Sequence, residues 1–291
     1  MPTSATERTG HTDPMDIARL AALGRDAGGT GEPDVLYDRH GVLVVRVGAV
    51  VVKLHQADRE AGPALARRLD AARALPGIAL APLGPPHRLD GRAVTVWPYA
   101  EPVRPEAPPW TEAGRLLAAL HRSPVPPDAP PWGRPGRVAR VVGRLAPGTE
   151  TDVIRRAFAA LPAWIRDGTA PPDDGKVLIH GDWHLGQMVR AETGWLLIDV
   201  EDLGVGDPAW DLARPAALYA AGVLGTDAWT AFLDGYGPSP HTDLWAALDE
   251  PARALAIQIA ATCVQSAREE DRDLDDAETA MVDACARIIR A

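Results

Sequence analysis

The sequence predicts an α+β chain in two parts, a small antiparallel-sheet lobe followed by a larger, mainly helical one. Three features predict it. The β-branched runs "DVLYD", "GVLVVRVG" and "AVVVKLHQ" follow one another, separated only by "RHG" and Gly48, as the strands of an antiparallel meander would be. Proline-rich connections at residues 102–109 and 123–135 then interrupt the chain. Beyond them apolar residues recur almost everywhere at helical spacing. At 291 residues the chain is too long for one minimal core and long enough for two lobes.

Taken in order, residues 1 to about 14 are polar and turn-rich, and "MDIARLAALG" at 15–24 has helical spacing with a glycine stop, so residues 1–30 read as an arm and a short helix. Residues 31–101 read as the small lobe: the three strands, a helix over about 63–75 and a strand in "AVTVWPYAE" at 93–101, broken by Pro98. Residues 102–291 read as the larger lobe, opening with the amphipathic helix "TEAGRLLAALHR" at 111–122. Helical patterns follow at about 150–166, 209–221, 226–236, 244–268 and 274–290. Within it, "KVLI" and "GWLLIDV" bracket the polar stretch "LIHGDWHLGQMV", an arrangement expected to form a short hairpin that presents those polar residues.

Composition excludes some functions. With 46% hydrophobic and 24% charged residues the chain reads as an ordinary soluble globular protein. A net charge of -10 argues against long contacts with nucleic-acid phosphates, which need clustered Lys and Arg, and suits a small cationic or neutral partner. The absence of a leader pattern and of a long apolar run gives the expectation of a cytoplasmic protein with no membrane partner. Cys263 and Cys285 lack metal or redox spacing and are expected as buried thiols. The basic residues are almost all Arg; Lys53 and Lys176 are the only lysines, so a lysine kept against that bias points to a need for a compact ammonium group.

The polar stretch admits three readings. His180, Asp182 and His184 are residue types that bind zinc; Asp182 alone suits a catalytic base near a phosphate; or the stretch is a hydrogen-bonded loop. The continuation "GWLLIDVEDLGVGDPAWDLAR" narrows the choice. Asp199 ends an apolar run, a costly place for an unpaired anion, and a bound Mg²⁺ would remove that cost. Asp207 and Asp211 suit the first turn of the next helix, where free amides favour carboxylates, and Asp207 is also a candidate for orienting the preceding loop.

With "HGDWHLGQ", "IDVED" and "GDPAWDLAR" in hand, the chain resembles the aminoglycoside phosphotransferase family, whose members share a bilobal protein-kinase-like fold. The resemblance implies Asp182 as the catalytic base, Gln187 in the position where the family has a metal-binding Asn, and Asp199 as the principal metal ligand. It makes Mg²⁺ the cofactor, ATP or GTP the co-substrate, and a small-molecule hydroxyl the acceptor. Lys53, in "VVVKLH", matches the strand lysine that holds nucleotide phosphates, and Pro98, Tyr99 and Ala100 fall where this fold binds adenine through backbone. His180 and His184 are expected to orient the loop. The acidic partner of Lys53 is open between Glu60 and Asp70, with Asp70 preferred because it lies within the predicted helix. The "RHG" turn is a poor phosphate-covering loop and reads equally as an ordinary hairpin, and "EEDRDLDDAE" at 269–278 reads as a solvated loop and helix cap. The implied activity is phosphorylation of an antibiotic, aminoglycoside or nucleoside in type, or of a related sugar-containing compound, conferring resistance. A metabolic sugar or aminoalcohol kinase and a nucleotide-binding pseudokinase are the alternatives.

Overall fold

A computed structural model describes residues 13–39, 41–57, 62–133, 136–169, 177–239 and 241–290. The N-terminal arm before residue 13, His40 of the "RHG" turn, and Glu60 lie outside the described residues. The chain divides into two compact units, Met1–Glu101 with Arg190–Glu201, and Pro102–Val189 with Asp202–Ala291.

The smaller unit is built on five antiparallel strands in the order β1-β2-β3-β5-β4. These are β1 (Pro33–Arg39), β2 (Val42–Val47), β3 (Val50–Leu54), β4 (His87–Leu89) and β5 (Arg92–Pro98). On β3, Val50, Val52 and Leu54 are buried while Val51 and Lys53 are not fully so, the two-residue alternation of a sheet with one face on a core. That core holds Leu20 and Ala21 of α1 (Pro14–Asp26) against Val45, Val47, Val52 and Val96. The predicted N-terminal helix is therefore part of this unit and no appendage. Helix α2 spans Pro63–Arg73. A short parallel bridge joins Ala79 to Leu197, with Leu197 N donating to Ile78 O and Leu80 N to Leu197 O, each at 2.8 Å, and this ties residues 190–201 to the sheet-bearing unit.

The larger unit is mostly helical: α3 (Trp110–His121), α4 (Arg137–Gly143), α5 (Thr149–Ala159), α6 (Ala163–Arg166), α7 (Ala209–Ala220), α8 (Thr226–Tyr236), α9 (Leu244–Glu269) and α10 (Asp276–Ile288). Its core runs through Trp132, Ile154, Ile165, Ile179, Trp210, Ile257 and Cys285. Helices α3 and α8 approach closely because Gly114 and Gly235 are the contact residues; a Cβ on Gly235 would stand 2.0 Å from Thr111 O. The acidic run at 269–278 ends in a capping box, Asp275 with Glu278, as a cap reading expects.

One prediction fails here. The strands that bracket the polar stretch do not pair with each other. β7 (Val177–Ile179) pairs antiparallel with β10 (Gly204–Gly206), while β9 (Gly194–Leu197) neighbours β8 (Met188–Ala191). The "GVG" of β10 has no side-chain pattern from which a strand could be read, so its claim on β7 was invisible. The short strand β6 (Glu101–Pro102) and α4 also went unread, because proline-rich flanks masked both. The predicted helix at 150–166 breaks at Pro162 into α5 and α6.

Candidate active site

In the smaller unit, Lys53 lies on the central strand β3, between Val44 on β2 and Thr95 on β5. Its side chain is only 13% exposed, which excludes an ordinary surface lysine. Its Nζ donates to Asp199 Oδ1 at 2.7 Å and lies 3.2 Å from Glu201 Oε1. Burial pushes the ammonium pKa down, and the two carboxylates more than reverse this, so Lys53 stands above the usual lysine range and stays charged. Asp70 does not partner it: Asp70 is exposed on α2 and pairs with Arg73 one turn away at 2.5 Å. Helical position made Asp70 a fair candidate, but its carboxylate faces water. The buried carboxylate is Glu201, whose Oε1 also lies 3.5 Å from His55 Nε2, and His55 in turn meets Thr95 Oγ1 at 2.9 Å. Asp199 itself sits at φ 57, a left-handed conformation uncommon outside glycine and held here just after the Leu197 bridge.

The backbone proposed for adenine is half-buried at Pro98, Tyr99 and Ala100. Tyr99 N is already committed to Ala49 O at 2.8 Å, and Pro98 has no N–H, so Ala100 is the residue of the three whose amide suits a base edge. The Arg46 guanidinium covers the Tyr99 ring at 3.5 Å from its centroid.

In the larger unit the "HGD" loop leaves β7. Gly181 has φ +83, and a Cβ there would lie 2.7 Å from Asp202 O, so glycine is required on both counts. The loop's amides are pinned by one carboxylate: Asp211 Oδ2 accepts from His180 N at 2.6 Å and Oδ1 from Gly181 N at 2.9 Å. Fully buried Asp211 also meets His121 Nε2 at 3.1 Å, and His121 Nδ1 meets the Tyr236 hydroxyl at 2.8 Å. Asp211 is thus the loop-orienting residue, not a helix cap. Asp207, the sequence candidate for that task, accepts instead from Ala209 N at 2.8 Å and pairs with His241.

Asp182 emerges from this loop with both oxygens engaged. Arg137 of α4 donates to Oδ2 and Arg214 of α7 to Oδ1, the latter at 3.2 Å. Burial pushes its carboxyl pKa up; Arg137 and Arg214, with His184, push it down further, and the group stands below the usual carboxylate value. Neither arginine was singled out from sequence, although Arg214 closes the quoted "GDPAWDLAR"; in an Arg-rich chain one more arginine carries no signal.

His180 is fully buried and serves through its backbone. His184 caps the 3-10 turn Leu185–Gln187, its Nδ1 accepting from Gly186 N at 3.1 Å and its Nε2 lying 3.0 Å from Gln187 Nε2. One neutral ring cannot accept at both nitrogens. Because Nδ1 accepts from the Gly186 amide, the ring proton lies on Nε2, and the Gln187 carboxamide turns its oxygen to that N–H. Gln187 is 7% exposed, and its carboxamide oxygen keeps a second lone pair after that bond, a donor that would suit a hard cation. Among the described residues no three His, Cys, Asp or Glu side chains converge as a metal site, which removes the zinc reading of His180, Asp182 and His184.

Residues 86–254, more than half of the chain, match the model of the phosphotransferase enzyme family. The chain belongs to that family. It is accordingly a phosphotransferase with an alcohol group as acceptor, and its α+β architecture is the bilobal kinase-like one. Solved structures agree in fold: a choline/ethanolamine kinase family protein from Mesorhizobium loti (TM-score 0.58, 20% identity, covering 94% of this chain and 92% of that one); spectinomycin phosphotransferase in complex with ADP and spectinomycin (0.59, 14%, 96% and 99%); and an amicoumacin kinase in complex with AMP-PNP and Ca²⁺ (0.64, 16%, 96% and 93%). No curated protein matches the sequence. No helix among the described residues is long and apolar enough to cross a membrane.

Proposed function

We propose that this phosphotransferase moves the γ-phosphoryl group of ATP or GTP to a hydroxyl of a small molecule, either an antibiotic, for which it would confer resistance, or a related sugar-containing compound. The observation that carries the reading is the lysine–carboxylate pair on the smaller unit, Lys53 to Asp199 at 2.7 Å, with Glu201 behind it. A strand lysine buried with two carboxylates and no other evident task is what binding of a phosphate chain and its cation requires. Lys53 would hold phosphate oxygens as a point charge, with Glu201 as a second carboxylate beside its ammonium were Asp199 to serve as a metal ligand. Asp199 would be the principal oxygen ligand of a divalent cation, and the Gln187 carboxamide oxygen is proposed as a further one. When bound, Mg²⁺ neutralises charge on the transferring phosphates.

On the acceptor side, Asp182 receives the hydrogen bond of the hydroxyl and takes its proton as the new O–P bond forms and the bond from the γ-phosphorus to the β-phosphate oxygen breaks, releasing the nucleoside diphosphate. With a lowered pKa it is a weak base, so orientation of the hydroxyl is its larger contribution. Ala100 offers the backbone donor for the base of the nucleotide. Retention of Asp182, Asp199 and Lys53 favours activity over a pseudokinase, and dependence on a nucleoside triphosphate supports a cytoplasmic setting. The test is calorimetry with Mg²⁺–ATP and Mg²⁺–GTP, followed by transfer of labelled γ-phosphate to a panel of alcohols. Binding in the micromolar to millimolar range and a labelled product are expected; no nucleotide binding at millimolar concentration sinks the proposal.

A further inference from the structure

Next to Lys53, within the smaller unit, runs a buried polar chain that phosphate binding by the lysine does not itself require. His55 follows Lys53 by two residues, just past the end of β3, and Thr95 stands opposite Lys53 on β5. We infer that His55 is a positioning residue for the phosphate-binding lysine: its Nε2–H is directed at Glu201 and keeps that carboxylate, and through it the Lys53 ammonium, in place. This rests on the assignment of Lys53 to phosphate proposed above and adds a residue to that machinery.

The contacts link end to end. Trp97 Nε1 donates to Thr95 Oγ1 at 2.9 Å, and His55 Nε2 lies 2.9 Å from the same hydroxyl. His55 Nε2 is also 3.5 Å from Glu201 Oε1, which lies 3.2 Å from Lys53 Nζ. His55, Thr95, Trp97 and Glu201 are all buried. The His55 backbone is fixed as well, its N–H donating to Ala93 O at 2.9 Å and its carbonyl accepting from Arg92 Nε at 2.9 Å. The ring therefore has a set place from which to act.

Proton counting sets the direction of the contact. An indole N–H only donates, so Trp97 takes one lone pair of the Thr95 hydroxyl. Beside the Lys53 ammonium Glu201 is a carboxylate, an acceptor only. A bare Nε2 would turn its lone pair toward that negative oxygen, whereas an Nε2–H suits both neighbours, bonded to Thr95 and directed at Glu201. Charge makes the second contact matter. One ammonium faces two carboxylates, and the Asp199 side chain is 37% exposed while that of Glu201 is 1% exposed. Water can serve Asp199, but Glu201 relies on protein groups, and burying a carboxylate is costly unless such groups receive it. His55 supplies an N–H that does not compete with Asp199 for the ammonium. Packing alone does not account for the imidazole, since an aliphatic side chain of similar volume would fill the same space with no polar atoms to satisfy.

The test begins with the ligand-free full chain. Nitrogen NMR of histidine-labelled protein, with the His55 ring assigned by its disappearance in His55→Gln, should show the ring proton on Nε2; a bare Nε2 overturns the inference from the parent alone. Lys53 and Lys176 are the only lysines, so Nζ labelling resolves Lys53 by the loss of its signal in Lys53→Arg. That resonance should move in His55→Leu and return in His55→Gln, whose amide nitrogen reaches the place of Nε2. A resonance indifferent to His55→Leu overturns the link to the lysine. Calorimetry with Mg²⁺ and whichever of ATP and GTP binds reads the consequence. Affinity is expected to fall about fivefold in His55→Leu, the equivalent of one lost hydrogen bond, and to stay within about twofold of the parent in His55→Gln. Equal affinity in the parent and His55→Leu, or equal losses in both variants, would mark a merely structural histidine and overturn the positioning role. A parent that binds no nucleotide contradicts the phosphotransfer reading instead, and the two resonances still decide whether His55 holds Glu201 and Lys53.

Discussion

Asp182 and Lys53 are each buried charges held by two opposite ones, and the pairing fixes how each responds to pH. For Asp182 the folded pKa is lowered, so the stabilisation from Arg137 and Arg214 is present above the ordinary carboxylate pKa and is lost as pH falls through the lowered value. For Lys53 the folded pKa is raised; its stabilisation is complete below the ordinary lysine pKa and is lost only as pH rises through the folded value. Neither group changes charge near neutrality. The acid limb of kcat/KM should therefore fall below the usual carboxylate range, leaving the profile flat from roughly pH 5 to 8. A limb centred near 6.5 would assign the essential ionisation to a histidine, His184 being the nearest candidate, and remove Asp182 as base. The companion substitution, Asp182→Asn, is expected to lower kcat by about 10²–10⁴ while calorimetric affinity for Mg²⁺–nucleotide stays within about twofold. Unchanged turnover in that variant contradicts the assigned role.

At the scale of elements, helix α7 acts on the "HGD" loop through a single buried carboxylate. Asp211 accepts two backbone amides from the loop and His121 from α3, which Tyr236 of α8 holds in turn, so three helices converge on the conformation of "HGD". Asp211→Asn replaces one accepting oxygen by a donor that faces a donor, at a fully buried site, and should cost about 1–3 kcal/mol in urea unfolding. Turnover should fall with it while nucleotide affinity holds. If stability and kcat are both untouched, the loop is positioned by something else. This network also marks where the sequence stopped being legible. Lys53, Asp182, Gln187 and Asp199 could be singled out because each combines an unusual residue type with a motif or with the end of an apolar run. Asp211 could not be separated from Asp207, since both suit a helix N-terminus and only the three-dimensional return of α7 to β7 tells them apart. Glu201 in "IDVED" carries no pattern that marks it as a lysine partner, because what sets it apart is burial of its carboxylate and not a helical position. The small sheet was readable from β-branched runs, whereas the β7–β10 pair was hidden by a strand made of Gly-Val-Gly, whose only side chain cannot set a pattern.

Over the whole molecule, each unit has its own apolar core, one around Leu20, Val45 and Val96 and the other around Ile154, Trp210 and Ile257, and Lys53 belongs to neither. Changing Lys53 should thus alter ligand-linked stability with the fold intact. A ligand that binds the native state alone stabilises it by about 2.7 kcal/mol at a hundred times its Kd, which in a chain of this size raises Tm by several degrees. Mg²⁺–nucleotide should produce that rise in the parent and in Asp182→Asn, whose change lies on the acceptor side. Lys53→Arg should lose most of it in spite of its preserved charge. The ammonium sits between Asp199 at 2.7 Å and Glu201 at 3.2 Å, a gap suited to a compact group, and the planar guanidinium is too wide to point from the same strand position at both carboxylates and a phosphate. Its stem and charge remain, so the ligand-free Tm separates damage to folding from loss of binding, and Lys53→Ala sets the level reached with no cation at all. Should nucleotide raise the Tm of Lys53→Arg as far as that of the parent, the lysine is not the phosphate anchor, and the buried Lys53–Asp199–Glu201 cluster is structural.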